Sequence, residues 1–160
     1  MNDIEFCIVR RKAEMPAFVR VLKAMSQDRL DYKPDPKARS ARELAWVMAV
    51  EERVLLDVID KGAIEWPADE APARVDDIVA AYDRASAAVN EKLAKLDESG
   101  WRKNGKIRFG EAAWEDSIAN ITWGLLFDAI HHRGQLSTYL RPMGGKVPAI
   151  YGPSADDPGA

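Results

Sequence analysis

Asp128 and His132 stand four residues apart, a separation that in a helix brings both side chains onto one face. That face also carries Ile118, Ile121, Leu125, Gln135 and Tyr139 at intervals of threes and fours, so it is the face that packs. A carboxylate and an imidazole on a packing face must bond to each other, to water or to a metal ion. Carboxylate oxygen and imidazole nitrogen suit a divalent metal such as Zn, Ni, Mn or Fe. Two ligands make half a site. Glu51 lies on the apolar stripe of an earlier helix, with Leu44, Val47, Met48, Leu55, Val58 and Ile59, and is the candidate third ligand. An open centre built from Glu51, Asp128 and His132 would prepare water or a thiolate for attack. The same residues also read as a metal-free polar network that pins helix register, and Glu51 also reads as a solvated charge beside Glu52.

The neighbours extend this picture. His131 points about 100° away from His132 on a helix and is the candidate catalytic base beyond the ligands. Arg133 is expected to face solvent or another chain. Gly134 costs a helix roughly 0.5–1 kcal/mol relative to Ala, which predicts close approach by another backbone. Gln135 is expected to hydrogen-bond across the helices. Cys7, the only cysteine, sits between Phe6 and Ile8 and reads as packing. The five tryptophans read mainly as core mass, and Arg10-Arg11-Lys12 as an ordinary helix surface.

Four helix-length segments must position these groups. The first lies between Ile4 and Leu30, with Phe18, Val19, Leu22 and Met25 as its stripe; Pro16 either kinks it or opens a shorter helix. The second starts at Ser40, whose partner Glu43 completes a capping box, and ends at Lys61-Gly62. The third spans about Val75 to Leu96 and the fourth about Glu115 to Arg141. Strand-like alternation is weak: Lys103 to Phe109 reads as a short extended piece or a hairpin arm, and one such piece cannot make a sheet. The expected fold class is therefore all-α, a four-helix bundle forming one domain over residues 1–160.

Apolar residues make up 47% and charged residues 31% of the chain, with a net charge of -3, which excludes wholesale disorder and gives no basic footprint for nucleic acid. No apolar run is long enough to span a membrane, and Asp3 and Glu5 are out of place in a secretory leader. One cysteine allows no disulfide within the chain, which suits a cytoplasmic location. Gly144-Gly145-Lys146 lacks the spacing of a phosphate loop, and no dinucleotide or Cys-x-x-Cys motif occurs.

Two blocks resemble the DinB/YfiT-like superfamily of metalloenzymes. One runs from Arg39-Ser40-Ala41-Arg42-Glu43-Leu44-Ala45-Trp46 to Glu51 and Glu52. The other is Phe127-Asp128-Ala129-Ile130-His131-His132-Arg133-Gly134-Gln135-Leu136, followed by Tyr139-Leu140-Arg141 and Gly144-Gly145-Lys146-Val147-Pro148. The resemblance implies up-down-down-up connectivity, a homodimer, and three histidines around Zn or Ni, one from the second helix and two from the fourth. Those positions fall on Val47, Asp128 and His132 here, so the three-histidine set is degenerate. The implied activity is metal-dependent thiol transfer or hydrolysis of an unidentified small molecule; the other expectation is a non-catalytic, dimeric binding or scaffold protein without the metal.

Overall fold

The computed structural model describes residues 1–159. Helix α1 spans Asp3–Lys23, α2 Ala41–Lys61, α3 Val75–Leu93, α4 Glu98–Arg102 and α5 Ile118–Leu140; strands β1, β2 and β3 span Ala63–Glu65, Asn104–Phe109 and Ala112–Ser117. Local chemistry explains most of the boundaries. Asn2 and Glu5 form a capping box for α1, and Ser40 and Glu43 form one for α2; each satisfies helix-end N–H groups that have no partner within the helix. Gly62 ends α2 at φ 80°, a conformation costly for any residue with a Cβ. Pro16 lies inside α1, so the longer of the two expected helices is the one that forms.

The four long helices pack so that α2 touches α3 and α5, while α1 touches the same two from the other side. Each therefore buries two flanks. One part of the core gathers Phe18, Leu22, Leu44, Met48, Tyr82 and Leu136. The other gathers Cys7, Val54, Val58, Leu93, Trp101, Ile107 and Ile121, and the sheet rests on it through Ile107.

That sheet corrects the expected fold class. The fold is not an all-α four-helix bundle of up-down-down-up type but a mixed α/β one, with five α-helices and a three-stranded sheet in the order β1-β2-β3 among the described residues. β1 runs parallel to β2 with Ile64 opposite Ile107, and β2 runs antiparallel to β3 with Ile107 opposite Trp114. Phe109 pairs with Ala112 across Gly110-Glu111, a two-residue hairpin turn in which Gly110 takes φ 66°, as such turns require. The stretch from Glu115 to Ser117, expected at the start of the last helix, belongs to β3. Ser117 then caps α5 by accepting the Asn120 N–H at 3.2 Å.

The expectation for Gly134 is also corrected. Nothing lies within 4 Å of the position a Cβ would take there, whereas a Cβ on Gly124 would meet the Trp114 ring at 2.5 Å. Gly124 is the glycine that admits a neighbour. Gly134→Ala should therefore stabilise the protein by about 0.5–1 kcal/mol through helix propensity alone. A urea titration showing a lower midpoint for this variant would contradict that reading.

Candidate metal centre

The middle of α2 and the middle of α5 face each other, and there Glu51, Asp128 and His132 converge. One ligand atom from each lies within 4.8 Å of the other two. His132 Nδ1 is 3.1 Å from Glu51 Oε1, and His132 Nε2 is 3.9 Å from Asp128 Oδ1. Glu51 and His132 are buried, while Asp128 stands half-exposed at the mouth. The candidate ligands named from spacing and register are thus brought together. His131 is exposed beside them, its ring centred 5.7 Å from that of His132. Glu52 is not solvated; it is buried on the other flank of α2.

One residue of the cluster enters the sequence reading only as the first residue of the helix-two block, with no role in the site. Arg39, just before the α2 cap, donates from Nη1 to His132 Nε2 across 3.4 Å. A guanidinium can only donate, so Nε2 accepts and the ring carries its proton on Nδ1, donating to Glu51 Oε1. No spacing rule announces a contact across 93 positions.

Electrostatics mark the centre as a costly arrangement. Burial, followed by the Asp128 charge, pushes the Glu51 carboxyl up to about 10, with Arg39 opposing. Burial holds the His132 ring below its ordinary value despite the pull of Asp128. Glu51 Oε2 has no hydrogen-bond partner among the described residues. Two carboxylates and an imidazole converging from two helices, with one buried oxygen left over, fit a divalent cation chemically. Val47 is half-buried one turn before Glu51 and offers no donor.

Residues 12–159 match the model of the DinB family. The chain belongs to the DinB family. Solved structures agree in fold. A DinB-like protein from Bacillus cereus is 20% identical at a TM-score of 0.76, over 92% of this chain and 97% of its own. One from Bacillus subtilis is 18% identical at 0.69, over 88% and 92%. The mycothiol-dependent maleylpyruvate isomerase is 10% identical at 0.54, over 89% of this chain and 61% of the isomerase. Among curated proteins none matches this sequence. At these identities the shared property is the fold, and the ligand set of this DinB protein rests on its own residues.

Other candidates resolve clearly. Cys7 is fully buried, and burial pushes its thiol up to about 11, so at neutral pH it is a packed thiol rather than a nucleophile. Arg133, expected at the surface, is buried, and its Nη1 donates to Glu14 Oε2 at 2.8 Å. Arg11 of the basic run is likewise buried, bonded to Glu52 and to Asn90. Gln135 is exposed rather than bridging the helices. Among the described residues, no helix is long and apolar enough to cross a membrane.

Proposed function

We propose that this protein holds one divalent cation, Zn or Ni before Mn or Fe, between Glu51, Asp128 and His132, and uses it for hydrolytic or thiol-transfer chemistry on a small molecule. The observation that carries the reading is the convergence of these donors within 4.8 Å, with Glu51 Oε2 buried and unpartnered. Bound there, the ion supplies Lewis acidity and a lowered pKa for a coordinated water or thiol. The chain's own part is to give up the proton of Glu51, to turn a ring nitrogen of His132 to the ion, and to keep Asp128 at the open mouth. His131, exposed next to the mouth, is placed to move a proton to or from a bound molecule. The thiol arm of the proposal is motivated by the mycothiol dependence of the isomerase that shares the fold. We further propose that the protein works as a cytoplasmic homodimer, a reading supported by its family and by its single unpaired cysteine.

A second reading has its own observation. The Arg39 guanidinium lies 3.4 Å from His132 Nε2, a positive charge beside the place a cation would occupy, and Val47 contributes no ligand. On this reading the cluster is a polar lock between α2 and α5 in a non-catalytic binding protein. Metal loading separates the two. Protein prepared without chelator, supplemented with Zn or Ni and dialysed, should retain about one ion per chain by elemental analysis. Asp128→Ala and His132→Ala should lower the affinity at least ~100-fold. No ion retained by the wild type after supplementation would leave the polar lock as the function of these residues.

A further inference from the structure

His132 Nε2 is approached from two sides. Arg39 Nη1 lies 3.4 Å from it and Asp128 Oδ1 3.9 Å. The other ring nitrogen, Nδ1, carries the proton and donates to Glu51 Oε1 at 3.1 Å, which is how a metal-ligating histidine is ordinarily held from behind. Nε2 is therefore the ring nitrogen with a free lone pair, and it has only one. It can accept from Arg39 or ligate an ion, never both at once. An ion that joins His132 to Asp128 must take the place the guanidinium now holds.

Arg39 is held loosely enough to give way. It stands exposed in the loop before α2, and its main chain is fixed separately: the Tyr139 hydroxyl donates to the Arg39 carbonyl at 3.3 Å. The side chain can swing without moving the loop. Among the described residues its guanidinium has no carboxylate within ion-pair distance, and its hydrogen-bond contact is an imidazole nitrogen rather than a charge. A guanidinium cannot shed its proton to escape a neighbouring cation. Once displaced, it is a cation beside a divalent cation, with no carboxylate of its own to offset it.

We propose that Arg39 exchanges partners: it holds His132 Nε2 in the metal-free protein, yields that nitrogen to the ion, and then takes an oxyanion of the small molecule bound at the centre. The substrate class is thereby anionic, a carboxylate or a phosphate. The proposal rests on the metal reading above and adds to it the nitrogen that ligates, the group displaced and the charge of the substrate.

Zn affinity tests it, measured by competition with a chromophoric chelator for the wild type and for Arg39→Met. The variant keeps the length of the side chain and removes both the donor and the charge. Alone, Arg39→Met should bind Zn about tenfold or more tightly than the wild type, because a single charge close to a divalent one is repelled even in a watery surrounding. The same titration is then repeated with benzoate, with phenyl phosphate and with uncharged benzyl alcohol. At least one anion should tighten Zn about tenfold more in the wild type than in the variant, the gain expected from a hydrogen bond between charged groups. The alcohol should tighten it in neither, and the larger of the two anion gains tells carboxylate from phosphate. Arg39→Gln, which also removes the charge, serves if a methionine at this exposed position proves insoluble. Zn bound no more tightly by the variant than by the wild type, or an anion gain equal in the two, would overturn the proposal while the metal reading stands. Zn held by neither protein would remove both.

Discussion

Arg133→Ala should cost about 3–5 kcal/mol, one of the largest losses available from a single change in this chain. The guanidinium is fully buried between α5 and α1. It donates to Glu14 Oε2 at 2.8 Å and to the Tyr151 hydroxyl at 2.5 Å, and its centre sits 4.5 Å above the Phe18 ring. Glu14 is itself buried. Removing the cation leaves that carboxylate inside the protein with Arg10 at 3.2 Å and the Tyr151 hydroxyl at 2.9 Å as its remaining partners. The side-chain volume over Phe18 is lost as well. For a domain stabilised by roughly 5–15 kcal/mol in total, the melting temperature should fall by about 10 °C. Chemical denaturation should show a lower midpoint with an unchanged slope. The double variant Glu14→Leu, Arg133→Met should recover most of the loss, because it removes both charges and keeps the volume. A single variant within ~1 kcal/mol of wild type would mean that the pair contributes no more than a surface ion pair does.

Arg133 also shows where the sequence stops being readable. It follows His132 directly, about 100° further round α5. A stripe-based reading assumes one buried face per helix, and on that assumption an arginine beside a core histidine points to water. In this fold each long helix is packed on two flanks: α5 turns His132 toward α2 and Arg133 toward α1. Glu52 was misjudged for the same reason, since α2 presents Glu51 to α5 and Glu52 to Arg11 of α1. By contrast the metal-centre candidates were legible because they obey local rules. Asp128 and His132 are one turn apart on a single helix, and Glu51 sits at a stripe position of another whose start is written in Ser40 and Glu43. The sheet escaped detection because its strands are short and poor in alternation. β1 has three residues, and within β2 only Gly105 and Ile107 are buried. Its one plain signal, Gly110-Glu111, is a hairpin turn signature that follows the stretch read as an extended piece or a hairpin arm; the partner strand was missed because Glu115 to Ser117, which belong to it, were assigned to the last helix. Arg39 belongs to the helix-two block but carried no signal of its contact with His132, because that contact depends on how α2 and α5 are packed.

Glu51→Gln should stabilise the metal-free protein above neutral pH while abolishing its response to metal. The Glu51 carboxyl is raised to about 10 in the folded chain by burial and by Asp128; in the unfolded chain it titrates near 4.5, its ordinary value. Between those limits the folded state keeps a proton that the unfolded state has released. Stability must then decline as pH rises, by at most about 1.4 kcal/mol per pH unit for one proton. An amide occupies the same space and has no charge to desolvate, so it removes this slope. In chelator at pH 8 the variant should be more stable than wild type by about 1–3 kcal/mol, a range kept below the full linkage value because local relaxation and water entry soften burial. At pH 4.5, where the folded wild type holds the proton and the unfolded wild type holds about half of it, the two proteins should nearly converge. Metal reverses the order: a divalent ion displaces the proton and stabilises the folded wild type by mass action, while the amide, a much weaker ligand, gains little. Denaturation curves at pH 4.5 and 8, each with chelator and with excess Zn, contain all four comparisons. If the variant is less stable than wild type in chelator at pH 8, Glu51 is a carboxylate that the fold accommodates as charged, and the strained, proton-holding ligand described here does not exist.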